Sequence, residues 1–324
     1  MKVIFWGTRG SLPASMTASM VRKKVKKVLE TVVKHGPPPK EEAIEAWIDW
    51  ALPFSVWGAY GTNTPCVEIV PGDTPDTYVI CDAGSGLRDC GNHILATRGP
   101  AKPATYHIFQ SHLHWDHIQG FPFFPPAYIP GNTIVFHGCH AAMENSLMAQ
   151  HHEPHFPVDW SMLGADIRFD IMQPDTDYHV AGLTVRAMRQ THPGASYGFR
   201  FEKDGQRVIY STDNEHKFEF LDPSYPFLEF CAGADLLIFD AQYTLKEATT
   251  TKEDWGHSNN LVAAEMAQET GVKHLCLFHQ EPAADDETLQ RFLEETAHYA
   301  SLVSDDSPMK ISMAYDGLVI DLGT

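Results

Sequence analysis

A chain of 324 residues with 43% hydrophobic content can bury a large core, and that length does not force two domains. Lys and Arg number 24 against 42 Asp and Glu, a formal charge of -18 that opposes non-specific association with a long nucleic acid or an anionic membrane. Six cysteines form no C-x-x-C pair and several sit in apolar runs, which points to buried thiols in a reducing cytoplasm rather than to disulfides.

In chain order, Val3 to Phe5 reads as a strand broken at Gly7, with no apolar stretch long enough for export or for crossing a membrane. Residues 14–59 read as a helical hairpin inserted near the start. Val21, Val25, Val28, Leu29, Val32 and Val33 recur at helical spacing, Gly36-Pro37-Pro38-Pro39 stops that helix, and 41–52 forms a second one with acids near its start. Arg22, Lys23, Lys24, Lys26 and Lys27 make a basic cluster there. Two roles are open to it: packing on the core or on a twin subunit of a homo-oligomer, or a lid that offers cations to a phosphate. Strands are predicted at 66–70, 77–81, 106–110, 133–137, 183–188, 208–211, 236–240 and 274–278. A helix is predicted over 261–269 behind the capping run Ser258-Asn259-Asn260, and a terminal hairpin over 311–314 and 318–322 around Asp316-Gly317. Periodicity alone gives a mixed α/β class, and the length suits a single domain over 1–324.

The most specific signal is His112-Leu113-His114-Trp115-Asp116-His117, three imidazoles and a carboxylate directly after an apolar strand. Neutral imidazole and carboxylate are the usual ligands of a borderline divalent ion such as zinc. Further pieces occur in order: Gly7-Thr8-Arg9-Gly10-Ser11, Asp82-Ala83-Gly84-Ser85-Gly86, Thr191-His192-Pro193-Gly194, Ser211-Thr212-Asp213, Phe239-Asp240-Ala241, Gly256-His257-Ser258 and Phe278-His279. This set resembles the metallo-β-lactamase-fold hydrolases, and within them the phosphodiesterase branch of ribonuclease Z and the small cyclic phosphodiesterases. The resemblance implies a four-layer αββα sandwich. It also implies two divalent ions, zinc first, with manganese or iron as alternatives: His112, His114 and His192 would hold one, Asp116, His117 and His279 the other, with Asp213 bridging.

The resulting expectation is in-line attack on a phosphodiester by a hydroxide shared between the ions, oriented by Asp116 or Asp213. His257 would act on the leaving group, with Asp240 fixing its tautomer. Ribonuclease Z commonly carries Glu where this chain has Asp240, one methylene shorter, so direct contact with His257 is the point to check. His192 and Asp213 are only 21 positions apart, leaving no room for a transfer-RNA-gripping arm. A small anionic substrate is therefore expected: a cyclic nucleotide, a cyclic phosphate or a short dinucleotide. Trp115 and the run Phe121-Pro122-Phe123-Phe124-Pro125-Pro126 offer an apolar wall for a base, although core packing suits most of them. His151-His152-Glu153-Pro154-His155 reads as a rim loop rather than a third metal site. Two rival functions are a lactonase or other carboxylic-ester hydrolase on the same metals, and a non-hydrolytic metal-binding sensor.

Overall fold

The computed structural model describes residues 1–72, 74–217, 219–303 and 309–323. Its strands fall into two halves of the chain. β1 (Lys2–Gly7), β2 (Cys66–Val70), β3 (Thr77–Cys81), β4 (Thr105–Gln110), β5 (Thr133–Gly138) and β6 (Asp166–Ile171) form the first sheet. β7 (Asp177–Val180), β8 (Leu183–Gln190), β9 (Ser196–Lys203), β10 (Gln206–Ser211), β11 (Leu236–Asp240), β12 (His274–Phe278) and β13 (Lys310–Met313) form the second. The chain then returns, and β14 (Val319–Asp321) closes the first sheet, whose order is β14-β1-β2-β3-β4-β5-β6. The order of the second is β13-β12-β11-β10-β9-β8-β7.

Each sheet is antiparallel at one end and parallel at the other: β3 to β6 run parallel, as do β10 to β13. The parallel strands are joined by helices that cover the outer faces, so β11 and β12 are buried along their whole length. Antiparallel β8 instead alternates, with Leu183, Val185 and Ala187 buried. Val3, Phe5, Phe109, Phe199, Phe201, Tyr210 and Phe278 fill the space between the sheets. Leu87, Ile94, Phe121 and Phe124 cover the outside of the first sheet, while Phe227, Val262, Met266, Leu289 and Phe292 cover the second. The four layers are therefore helix, sheet, sheet, helix, as expected.

The predicted strands all form. β6, β7 and β9 and the helices Gly86–Arg98 and Asp286–Val303 were not predicted; β6 and β7 are edge strands of mostly exposed or half-buried residues and lack an apolar signature. The terminal hairpin is corrected. β13 pairs with β12 and β14 with β1, so the Asp316-Gly317 turn passes the chain from one sheet to the other. Asp316 accepts from the N–H groups of Thr62 and Asn63, both at 2.9 Å, and the Gly317 N–H donates to the Phe5 carbonyl at 2.7 Å. These long-range bonds override the local turn preference.

The insertion is helical, as Ala18–His35, Ile44–Ala51 and the short Phe54–Trp57. Its lysines turn toward the start of Asp286–Val303: Lys23 lies 3.0 Å from Glu287, Lys24 2.6 Å from Asp286 and Lys27 2.5 Å from Glu287. Lys26 pairs with Glu30 at 3.5 Å. Four of the five clustered cations are therefore paired with carboxylates, which supports the packing role. Among the described residues no helix is long and apolar enough to cross a membrane.

Candidate active site

The ends of the parallel strands meet at one edge of the sandwich, where open α/β sheets present their loops to ligands. β4 runs into His112 and His114, β10 into Asp213 and β12 into His279, while Asp240 is the last residue of β11. Asp213 and His279 adopt positive φ, 47° and 60°, a conformation uncommon outside glycine and concentrated at functional sites. Asp116 and His117 lie in the helical turn Trp115–Ile118.

These residues gather into two sets that share Asp213, His112, His114 and His192 in one and Asp116, His117 and His279 in the other; a third, overlapping set joins Asp240 and His257 to Asp213 and His279. Asp213 divides its carboxylate between them. Its Oδ2 lies 3.5 Å from His112 Nε2 and 3.6 Å from His192 Nε2; its Oδ1 lies 3.2 Å from His117 Nε2 and 3.3 Å from His279 Nε2. Asp116 Oδ2 is 3.3 Å from both His117 Nε2 and His279 Nε2, and His114 Nδ1 is 3.1 Å from His192 Nε2. Ligands about 2.0 to 2.1 Å from a tetrahedral ion stand about 3.3 Å apart. The spacing fits two divalent ions, and His112 Nε2, buried with no hydrogen-bond partner, fits a nitrogen reserved for one of them.

In three of these imidazoles the other ring nitrogen is engaged, which orients the ring. His117 Nδ1 lies 2.7 Å from Asp82 Oδ2, His279 Nδ1 3.1 Å from Gln242 Oε1 and His192 Nδ1 2.9 Å from the Gly256 carbonyl. Such partners orient a ligating imidazole and raise its basicity. Asp82 is fully buried and also accepts from Ser111 N–H, Ser111 Oγ and Tyr210 Oη, each at 2.7 Å. Two glycines are sterically required. A Cβ on Gly256 would stand 2.2 Å from His192 Nδ1, and one on Gly10 2.7 Å from His279 Nδ1. The Ser11 N–H donates to Asp116 Oδ2 at 2.9 Å, which accounts for the early Gly-Thr-Arg-Gly-Ser loop.

Electrostatics follow from burial and crowding. Burial holds His112, His114 and His192 below the ordinary imidazole range, keeping them neutral and able to ligate. Asp213 is held well below the usual carboxylate range: burial opposes ionisation, but the adjacent imidazoles, His279 and then His117, outweigh it.

Beside this cluster, His257 Nδ1 lies 2.8 Å from Asp240 Oδ2, so the shorter acid makes the direct contact. Asp240 accepts from two further donors: Asn214 N–H reaches Oδ2 at 3.1 Å, and Gln242 N–H reaches Oδ1 at 3.2 Å. That suits an orienting carboxylate better than a metal ligand. The His257 ring stacks on His279, 5.0 Å between centroids and 19° between planes. Burial pulls its imidazolium down, yet Asp240, with Asp213 and Asp116, lifts its pKa to about 9. Bound cations would act against Asp213 and Asp116, so this elevation belongs to the metal-free protein.

Sequence reasoning missed the brace behind the pair. Glu215, buried, accepts from Asp254 N–H and Gly256 N–H, each at 3.0 Å, and so clamps the turn that carries the Gly256 carbonyl and His257. Asn214 Oδ1 takes the Thr191 N–H at 2.8 Å, and Ser258 Oγ donates to the Asn214 carbonyl at 2.6 Å. Their position directly after Asp213 was the available signal. Of the proposed aromatic wall, Phe121, Pro122, Phe124 and Pro126 are buried, whereas Phe123 is 56% and Trp115 84% exposed. His151 packs among Phe121, Phe156 and Trp160, and the loop around it gathers no metal-ligating set among the described residues.

A family model described as a beta-lactamase superfamily domain matches residues 77–280. The probable metallo-hydrolase YhfI of Bacillus subtilis is 28% identical over 196 residues, 60% of this chain and 74% of that protein. The crystal structure of YhfI, a metallo-beta-lactamase fold protein, superposes with a TM-score of 0.60 at 18% identity over 98% of both chains. A ribonuclease Z of Brevibacillus brevis is 41% identical over 85 residues, 26% of this chain; the match spans only 24% of that relative's length. A diphosphatase of the PhnP family gives a TM-score of 0.59 at 17% identity, covering 99% of this chain and 97% of that one. The structural likenesses establish the fold.

Proposed function

The chain belongs to the beta-lactamase superfamily; from that premise we propose that it is a metal-dependent hydrolase that cleaves a small phosphodiester, such as a cyclic nucleotide, a cyclic phosphate or a short dinucleotide. The observation that carries the reading is the His257 and Asp240 pair set against a ligand cluster whose Asp213 serves two sets at once. His112, His114 and His192 would hold one divalent ion and Asp116, His117 and His279 the other, with Asp213 shared. Bound there, two such ions supply an activated water at neutral pH and offset charge on the phosphoryl oxygens.

The chain's own residues do the rest. Asp116, fixed by the Ser11 N–H, holds the attacking water in line. His257 has Nδ1 committed to Asp240, which leaves Nε2 to deliver a proton to the departing alkoxide. Asp240 stabilises the charged imidazole without needing to move. The relatives named ribonuclease Z and diphosphatase support phosphorus-centred chemistry. Small size is supported by the short β9 and β10 hairpin between His192 and Asp213, and by the charge of -18.

The test is elemental analysis of the purified protein together with side-by-side assays on cyclic phosphodiesters, linear phosphodiesters and lactones. Two ions per chain and turnover of a phosphodiester are expected. Preference for lactones would transfer the assignment to carboxylic esters, and no turnover by fully metallated protein would favour a sensor.

A further inference from the structure

Two exposed tryptophans border the cluster from opposite sides of the sequence. Trp115, 84% exposed, is bonded to His114. Trp255, 54% exposed, precedes Gly256, whose carbonyl lies 2.9 Å from His192 Nδ1. His114 and His192 are themselves 3.1 Å apart, so the backbone segments that carry the two tryptophans meet at the site. Single exposed apolar residues are ordinary on protein surfaces and carry no meaning alone.

Three features set Trp255 apart. Its backbone is clamped on both sides, because the amides of Asp254 and Gly256 donate to the two oxygens of buried Glu215. A cation rests on its face: Lys252 Nζ is 3.9 Å from the indole centroid and 5.3 Å from that of Tyr243. Tyr243 in turn meets His257 edge-on at 5.6 Å. The result is an exposed ring on an anchored backbone with a positive charge on its face, and Tyr243 links that charge to the residue assigned to the leaving group. In a protein of net charge -18, Lys252 lies against aromatic faces with Glu247 near enough to feel its charge, whereas Lys23, Lys24 and Lys27 are in direct ion pairs with carboxylates. A planar ring attached to a phosphate matches this combination, since aromatic faces stack bases of any sequence and a cation favours the phosphate.

We propose that Trp255 and Lys252 form a subsite for the base of the substrate, making the cleaved ester a nucleotide rather than an aliphatic phosphodiester. The assignment rests on the phosphodiesterase reading, but binding of product-like ligands tests it separately.

Adenosine 5′-monophosphate and ribose 5-phosphate, which differ by the base, would be titrated into metal-loaded protein by calorimetry and by tryptophan fluorescence. The monophosphate should bind about tenfold or more tighter, the scale of a base stacked on an aromatic side chain, and should quench fluorescence. Trp255→Ala should remove most of both effects, and Trp255→Phe should restore the affinity difference. Equal affinity for the two ligands in the wild-type protein, no binding of either, or a difference that persists in Trp255→Ala overturns the subsite. Failure to hydrolyse any phosphodiester would instead count against the proposed reaction, and the same titrations would still decide whether a base is recognised.

Discussion

His192 and His257 lie 5.1 Å apart, yet their hydrogen bonds fit them for different work. A backbone carbonyl holds His192 Nδ1 and leaves Nε2 facing Asp213; a carboxylate holds His257 Nδ1, which favours a charged ring. His257→Ala should therefore lower kcat by about 10²-fold or more, the scale of a lost general acid, with both ions retained by elemental analysis. Asp213→Ala should empty both positions, because its two oxygens serve the two sets separately. Loss of an ion from His257→Ala would move that residue into the ligand set. The motif His112 to His117 was legible because its members are adjacent in sequence. Glu215, Gln242 and Asp82 were harder: each acts on a residue 35 to 41 positions away, and a lone acid or amide has no local pattern to distinguish it from a surface residue.

At the scale of elements, apolar periodicity located the central strands well and misjudged what the ends of the chain connect to. Asp316-Gly317 has strong hairpin chemistry, but Asp316 is occupied by Thr62 and Asn63 and the strands on either side belong to different sheets. The insertion shows the same dependence on distant partners. Its lysines looked like free cations, whereas the acids that neutralise them begin a helix more than 250 positions later. Lys24 is the most consequential: its side chain is 14% and that of Asp286 6% exposed, and its Nζ also donates to the Gly58 carbonyl at 2.7 Å. Removing it leaves a buried carboxylate without its cation, a change that costs roughly 3 kcal/mol or more. Lys24→Met should lower the unfolding free energy by that amount in urea titrations. Lys26→Met, at a pair 75% and 61% exposed, should change it by roughly 0.5 kcal/mol or less. Equal effects would mean that Asp286 does not depend on Lys24.

For the whole molecule, the strand inventory and layer order could be anticipated, but the meeting of the two halves at one edge came from the family resemblance, since periodicity does not reveal which loops face one another. That meeting has a stability consequence. His112, His114, Asp116 and His117 follow β4 of the first sheet, whereas His192, Asp213 and His279 follow β8, β10 and β12 of the second, so ions held by both groups would tie the sheets together. An ion that binds only the folded chain stabilises it by roughly 4 kcal/mol when its free concentration is about a thousand times its Kd. For a chain of this size that corresponds to roughly 6 °C in Tm for each ion. Stripping both ions with a chelator should lower Tm by roughly twice that, and adding zinc or manganese back should restore it. Without ions, Asp116 and Asp213 retain His117 as a partially compensating cation, which predicts a folded metal-free protein rather than an unfolded one. Asp213→Ala should abolish most of the chelator-dependent shift. A Tm that responds equally in wild type and Asp213→Ala would place the stabilising ion elsewhere in the molecule.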